Sequence, residues 1–395
     1  MRKTLVVMLL FLFLSLTCIA SFATQEAAIS EEAYELNGCD IEISAKSAVL
    51  MEAESGEIIF SKNENEALPP ASVTKIMTLL LVMEALNEGR ISLDAQIPIS
   101  AYAASMGGSQ VFLKEGESMS VRDLIKCTVI ASANDAAVAL SEYIYGSEDA
   151  FVKAMNDRAA TLEMKNTVFE NTTGLDDTVE RHLTSAKDIA IMTRELIKHD
   201  LILEYSSLWQ DTIRNGEFTL TNTNRLVRYY DGCTGLKTGS TDKAGYCISA
   251  TAERDGTKLI AVVMGADTRD ERNSIARAML DIGFSNYILY KESEMIVDNI
   301  PVYGASVSSI PVYSEGISTL INKSHKNKVE KQYTINDVVE APVKKGDVVG
   351  SVKYYVDGKL LCEKNLYVGD SLEKLSVKNL FGGILRTIIC GKFNK

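Results

Sequence analysis

Pro69-Pro70-Ala71-Ser72-Val73-Thr74-Lys75-Ile76-Met77-Thr78-Leu79-Leu80-Leu81 decides how the chain reads. The two prolines end an extended segment. From Ile76 to Leu86 the residues are mostly apolar, which predicts a buried helix. Ser72 falls at or just inside the helix start, where free N–H groups and the dipole favour developing negative charge. Lys75 follows three residues later on the same helical face, within reach of the Ser72 hydroxyl. A serine hydroxyl near neutral pH needs a base in contact with it. A lysine serves as that base only if burial or a second cation keeps it neutral part of the time. Ser-x-x-Lys by itself is a common surface pattern; at the head of a buried helix it draws the lysine inward.

Two more polar motifs follow in order. Ser132-Ala-Asn134 lies in Ile130-Ala-Ser-Ala-Asn-Asp-Ala-Ala, at a break between two helical stretches, where a hydroxyl and an amide two apart can both face a cleft. Taken alone, the same residues make good N-capping chemistry for the following Ala-Ala-Val-Ala-Leu. Lys237-Thr238-Gly239 sits on a predicted strand with Gly235 before it. Glycine in a strand lets another backbone come close, as when an extended peptide lies antiparallel along the edge. Lys237 offers positive charge for a carboxylate and is the candidate second cation beside Lys75. Standing alone, this motif would read as a hairpin end with a solvated lysine.

Around these motifs, Ala48-Val-Leu-Met-Glu-Ala and Glu57-Ile-Ile-Phe-Ser flank Ser55-Gly56 in a strand–turn–strand pattern. Residues 121–147, 148–163 and 186–199 read as helix. From Thr234 the chain turns β-like, through Gly245-Tyr-Cys-Ile-Ser-Ala-Thr-Ala and Leu259-Ile-Ala-Val-Val-Met-Gly, and a last helix runs from Glu271 to Ile282. An antiparallel sheet carrying a helical cluster is the simplest assembly. Composition shifts near 294, and short β runs with turn signals, Asp357-Gly358 among them, predict a separate small all-β domain over 294–372.

The ends differ from the body. Arg2-Lys3, the apolar run Leu5–Leu16 and Ser21-Phe-Ala23 read as an export signal over 1–23, too short for the roughly 20 residues a membrane span needs. Leu16-Thr17 before Cys18 fits a lipidation pattern poorly. Residues 24–39 form an acidic leader. In 373–395, Val377, Leu380, Phe381, Ile384, Leu385 and Ile388 recur at helical spacing among Lys374, Lys378, Arg386 and Lys392. On a chain of formal charge −12 this basic amphipathic tail predicts a helix lying in the plane of an anionic membrane surface, although Gly382-Gly383 costs it helix propensity. The same acidic balance excludes a nucleic-acid partner. Hydrophobic content of 46% and charged content of 24% fit a soluble globular body. Six cysteines remain after signal cleavage, with no Cys-x-x-Cys among them. Cys233 and Cys247 flank the Lys-Thr-Gly strand and are candidates to pair; buried thiols acting as small hydrophobes fit most of the others. No His, Asp, Glu or Cys cluster has ligand spacing, so neither metal nor cofactor is expected.

Together the three motifs resemble the D-alanyl-D-alanine carboxypeptidase family, the low-molecular-weight penicillin-binding proteins, over about residues 40–290. Asn171-Thr-Thr-Gly-Leu175, His182-Leu-Thr-Ser-Ala-Lys-Asp-Ile-Ala190, Asn222-Thr-Asn224 and Gly245-Tyr-Cys-Ile-Ser-Ala extend the resemblance. It implies the α/β (α+β) penicillin-binding/β-lactamase-like transpeptidase fold, an antiparallel sheet flanked by helices, followed by the all-β domain. It also implies an acyl-enzyme on Ser72 with Lys75 as base, Ser132 relaying a proton and Asn134 holding the substrate amide and the lysine. Lys237, Thr238, Gly239 and Ser240 would bind substrate, with Ser72 and Ser240 N–H groups as oxyanion hole, and Arg272 would hold the terminal carboxylate. The expected partners are a peptidoglycan stem peptide ending in D-Ala-D-Ala, β-lactam inhibitors and a membrane surface, at the outer face of the cytoplasmic membrane. A β-lactamase or a non-catalytic cell-wall binder are the other readings. Ala133 stands where many relatives carry glycine, and Ser240 where some carry histidine. His182 falls in a family-like loop and reads as structural.

Overall fold

The computed structural model describes residues 43–176, 179–376 and 381. The export signal (1–23), the leader (24–39) and most of the basic tail (373–395) lie outside the described residues.

Strands buried on both faces need helices on both sides. β1 (Ser47–Glu52) is buried at every position and turns at Gly56, φ +78°, into β2 (Ile58–Lys62). A 3₁₀ turn over Ala71–Thr74 then leads into α1 (Lys75–Asn87), every residue of which from Lys75 to Met83 is buried. The short α2 (Ala101–Ala104) lies between β3 (Gln96–Pro98) and β4 (Ser118–Ser120), which pair with each other. The helical stretch expected over 121–147, with its break at Ser132-Ala-Asn134, is α3 (Val121–Ile130) and α4 (Asn134–Tyr145), and α5 (Glu148–Thr161) follows. The helix expected over 186–199 ends early as α6 (Ala186–Leu196), and α7 (Asp200–Ser206) starts afresh. β5 (Gln210–Ile213) and β6 (Phe218–Thr221) form a hairpin ahead of α8 (Leu226–Tyr229).

β7 (Cys233–Thr241), β8 (Gly245–Arg254) and β9 (Thr257–Ala266) complete an antiparallel sheet of order β2-β1-β9-β8-β7, with β7 at its edge. α9 (Arg269–Asn286) starts two residues before the expected Glu271, because Thr268 Oγ1 accepts from Glu271 N and caps it. Side chains alternate across the sheet. Val49, Met51, Ile260, Val262 and Met264 pack against α1, α3, α4 and α6; Ala48, Leu50, Ala250, Leu259, Ala261 and Val263 pack under Ile275, Ala276, Met279 and Leu280 of α9.

β10 (Tyr287–Glu292) leaves α9 without a linker. β11 (Met295–Tyr303) and β12 (Ser309–Ser314) follow, then β13 (Ile317–Asn322), which pairs with β10, so strand pairing begins ahead of residue 294. β14 (Val329–Ile335), β15 (Val339–Glu340), β16 (Val348–Val356) and β17 (Lys359–Val368) join β11 and β12 in a six-stranded sheet with its own apolar core. Asp357 (φ 48°) and Gly358 (φ 80°) turn the β16–β17 hairpin with two positive φ values, as a type I′ turn demands. Tyr287 and Leu320 reach into the core under α9 and join this module to the larger body. Cys127, Cys233, Cys247 and Cys362 are free thiols, so the Cys233–Cys247 pair does not form.

Leu280 is fully buried between α9 and the sheet. Leu280→Ala should lower unfolding free energy by about 2–5 kcal/mol in a denaturant titration, through lost burial and the cavity left behind; a smaller loss would mean that α9 is held mainly by something else.

Candidate active site

The chain approaches Ser72 under constraint. Ala71 takes φ 47°, and Thr74 Oγ1 donates back to its carbonyl at 2.8 Å. His182 Nδ1 accepts from Glu170 N at 3.0 Å, so the ring proton sits on Nε2 and is donated to Thr74 Oγ1 at 2.7 Å. Burial lowers the His182 pKa to about 4, which keeps this tautomer neutral. Gly174, φ +81°, lies so close that a Cβ there would come within 1.8 Å of the Ala71 carbonyl oxygen. Asn171–Leu175 and His182 thus back the serine turn, the structural role expected of His182.

Ser72 lies on the 3₁₀ turn, one residue set ahead of α1 rather than inside it. Residues i and i+3 eclipse in such a turn, and Lys75 Nζ stands 2.9 Å from Ser72 Oγ. Its other two neighbours are Asn134 Oδ1 at 2.5 Å and the Thr173 carbonyl at 2.8 Å, both able only to accept. A neutral amine satisfies all three: two N–H groups donate to Asn134 and Thr173, and the lone pair faces the Ser72 hydroxyl. Burial first, and the charge of Lys237 second, push the Lys75 pKa well below its ordinary value. The second cation is the one expected.

Ser132 is buried and held at φ 62°. α4 starts from Ala133 with no side-chain cap, so the capping reading of this motif fails. Asn134 instead turns inward, its Nδ2 donating to the Gly107 carbonyl at 2.7 Å while Oδ1 meets Lys75. The neighbouring Asp135 carboxylate accepts from the N–H groups of Val111, Leu113 and Ala136.

Lys237 points from β7 into the interior, fully buried, and donates to Ser132 Oγ and to the Thr238 carbonyl, both at 2.8 Å. Burial and then the Arg272 charge lower its pKa to about 7. Gly239 packs on the serine turn: a Cβ there would lie 2.7 Å from Ser72 N and 2.9 Å from Val73 N. Thr238 Oγ1 donates to Thr223 Oγ1 at 2.8 Å. Arg272 is in the first turn of α9, buried, donating to Asn273 Oδ1 and the Cys247 carbonyl. Burial and Arg269 lower its pKa to about 10.

Ser72, Ser132, Thr238, Gly239, Ser240 and Arg272 line one open cleft of ≈ 480 Å³, with Lys75, Asn134 and Lys237 reaching it from beneath. All nine residues singled out from sequence therefore converge. Ser109, Trp209, Thr223, Arg225 and Arg269 also line it and were not foreseen. Thr223 had one signal, the Asn222-Thr-Asn224 pattern; the others come from segments with no local signature.

Residues 30–268 match the family model described as D-alanyl-D-alanine carboxypeptidase, and residues 284–374 match that of the penicillin-binding protein 5 C-terminal domain. The chain is 41% identical to the D-alanyl-D-alanine carboxypeptidase DacF of Bacillus subtilis (strain 168) over 95% of both chains. Its fold resembles that of penicillin binding protein 5 from Haemophilus influenzae, with TM-score 0.76 and 32% identity, covering 86% of this chain and 100% of that one. Penicillin-binding protein D2 from Listeria monocytogenes in its ampicillin-bound form aligns at 33% identity and TM-score 0.58, over 62% of this chain and 99% of that one.

The two lysines fix a pH profile. Lys75 can take the Ser72 proton only when unprotonated, so acylation by a β-lactam should fall as pH drops through the apparent pKa of the pair. Lys237→Met removes the neighbouring cation, which raises the Lys75 pKa. The acid limb of the rate profile should then move to higher pH, beyond any loss of rate. A limb that stays in place would mean that burial alone depresses Lys75.

Proposed function

Since the chain belongs to the D-alanyl-D-alanine carboxypeptidase family, we propose that it removes the terminal D-alanine of peptidoglycan stem peptides through an acyl-enzyme on Ser72. One observation carries the assignment of the nucleophile: the Ser72 hydroxyl meets a fully buried amine whose other two partners are neutral acceptors. Lys75 takes the hydroxyl proton as Ser72 Oγ attacks the carbonyl of the penultimate D-alanine. The backbone N–H groups of Ser72 and Ser240 receive the oxyanion, and the contact of Gly239 with the serine turn supports this, because it sets the two backbones side by side. The tetrahedral intermediate then breaks its C–N bond. The departing amine takes a proton from Ser132, whose hydroxyl is resupplied through Lys237 at 2.8 Å. Arg272 and Thr238 hold the carboxylate of the leaving D-alanine, which pairs along the free edge of β7. Water then attacks the ester, its proton passing through Ser132 to Lys237, while Lys75 returns its proton to the departing Ser72 oxygen.

A β-lactam places its strained amide where the scissile bond lies, and opening the ring releases no separate leaving group. The acyl-enzyme then persists, consistent with β-lactam binding in the family.

We assign the protein to the outer face of the cytoplasmic membrane as a peripheral protein. The export signal read over 1–23 and the basic amphipathic tail over 373–395 support this. Leu375 N donates to the Gly304 carbonyl at 2.6 Å, so the tail departs from the β11–β12 turn of the C-terminal module.

Incubation with a D-Ala-D-Ala-ended peptide should release D-alanine, benzylpenicillin should block that release, and Ser72→Ala should abolish both release and the covalent adduct. Release that survives Ser72→Ala would discard the nucleophile, and rapid penicillin turnover without release would make the protein a β-lactamase. For the tail, the mature chain should co-sediment with anionic phospholipid vesicles and the protein ending at Leu372 should not; retained binding would place the membrane contact elsewhere.

A further inference from the structure

Two segments wall the cleft at its outer side, and neither carries one of the three catalytic motifs. The loop 105–117 contributes Ser109; the β5–β6 hairpin and its flanks contribute Trp209, Thr221 and Thr223. One side chain joins them. Arg214, at the hairpin tip, donates Nε to Glu117 Oε1 at 2.7 Å and Nη2 to Glu117 Oε2 at 3.0 Å. Its Nη1 donates to the Val111 carbonyl at 2.9 Å and Nη2 also to the Phe112 carbonyl at 3.3 Å. The guanidinium lies 5.5 Å from the Phe218 ring centroid, which fixes its plane.

Both ends of this clasp are held in unusual backbone. Arg214 (φ 51°) and Asn215 (φ 55°) are consecutive left-handed residues, and Phe112 takes φ 58° with its ring exposed. Non-glycine residues persist there only where the surroundings over-determine them, and such strain clusters at functional sites.

From the loop the connection runs inward by hydrogen bonds. Val111 is held at both polar groups, its carbonyl by Arg214 and its N–H by the Asp135 carboxylate, which also accepts from Leu113 N. Asn134 N donates to the Ser109 carbonyl and Asn134 Nδ2 to that of Gly107, both at 2.7 Å. The Gly107 bond orients the amide: with Nδ2 committed to the loop, Oδ1 faces Lys75 at 2.5 Å. On the hairpin side, Thr223 N donates to the Ile130 carbonyl and Thr223 Oγ1 accepts from Thr238.

We propose that Arg214 is a positioning residue for acylation, clamping loop 105–117 to the β5–β6 hairpin so that Asn134 presents its oxygen to Lys75. The proposal rests on the assignment of Ser72 and Lys75 above. When the clasp opens, the loop loosens, the Asn134 amide is free to turn over, and water reaches the Lys75 amine. The charged and titratable groups facing that amine are Lys237 from β7, Asp135 from α4 and His182 from the loop behind it; of these only Asp135 also interacts with Arg214, and it accepts from Val111 and Leu113 N of the loop. Water at the amine raises the Lys75 pKa by relieving its burial.

The test measures kcat and KM for D-alanine release, and the rate of Ser72 acylation by benzylpenicillin, across pH. The variants are Arg214→Gln, Glu117→Gln, the double variant and Arg214→Lys. Asp211→Asn is the control, since it breaks an ion pair of the same hairpin directed at Lys126 of α3 instead of the loop, 2.7 Å in length. Arg214→Gln should slow acylation by about 10- to 100-fold, the scale on which small misplacements of reacting groups act, and shift its acid limb to higher pH. The double variant should be no worse than either single one, Arg214→Lys should recover part of the rate, and Asp211→Asn should leave rate and limb unchanged. Acylation indistinguishable from wild type in Arg214→Gln, a slower rate with an unmoved acid limb, or an equal loss in Asp211→Asn would each overturn the proposal. Should Arg214→Gln fail to fold, as judged by thermal unfolding, Glu117→Gln and Arg214→Lys must show the loss and the shift, or the proposal falls. Wild-type protein that acylates with penicillin but releases no D-alanine would overturn the substrate assignment while leaving this test readable.

Discussion

Two primary amines are buried in one pocket with no carboxylate among their hydrogen-bond partners, and the rest of the site is arranged around that fact. A buried charge without a counter-ion is so costly that the group tends to give up its proton. Most proteins avoid the situation by supplying an acid. Here the carboxylate whose charge reaches Lys75, that of Asp135, is engaged by three backbone N–H groups of its own. It opposes the depression of the Lys75 pKa without cancelling it. The proposed base is therefore made by withholding a partner, and the oxygens of Asn134 and Thr173 orient the amine without charging it.

Such an arrangement must be held from several directions, because nothing in it is self-stabilising. β7 presents Lys237 inward and Gly239 against the serine turn, which requires an edge strand whose outer side is free. Edge strands invite unwanted pairing, and in the proposed reaction this edge is where the extended substrate adds itself. The two faces of the sheet have separate cores. One binds α1 and sets Ser72 and Lys75; the other binds α9 and delivers Arg272 from the opposite side. The cleft forms where elements from both faces meet at one strand.

What the sequence made legible was local. Serine and lysine three apart at the head of an all-apolar run forced the inference of an inward lysine, and Lys237-Thr-Gly before two apolar strands located the edge. The split of 121–147 was foreseen as a break, but its form was not. Ser-Ala-Asn-Asp ahead of alanines is good capping chemistry, and only the tertiary demand for Ser132 to meet Lys237 and Asn134 to meet Lys75 overrode it. The left-handed φ of Ser132 is a product of that demand and leaves no mark in a non-glycine residue. Trp209, Arg225 and Arg269 were invisible for a related reason: each enters the cleft from a short connection or a helix start whose own periodicity says nothing about what lies across from it.

Strain and burial at the site are costs that the scaffold must offset. Ala71 and Ser132 sit in left-handed backbone, and Lys75 and Lys237 are enclosed as amines. Each is unfavourable on its own, and each is tolerated because an independent contact fixes it: Gly174 and Thr74 behind Ala71, Lys237 on Ser132, Asn134 and Thr173 on Lys75. Stability and preorganisation are here opposed in sign at the same residues, as is common where function requires a strained site. A fully apolar pocket of this shape would fold with less penalty and would have no base. The two cores supply the burial that keeps the chain folded while it holds, at their junction, groups that water would otherwise reclaim.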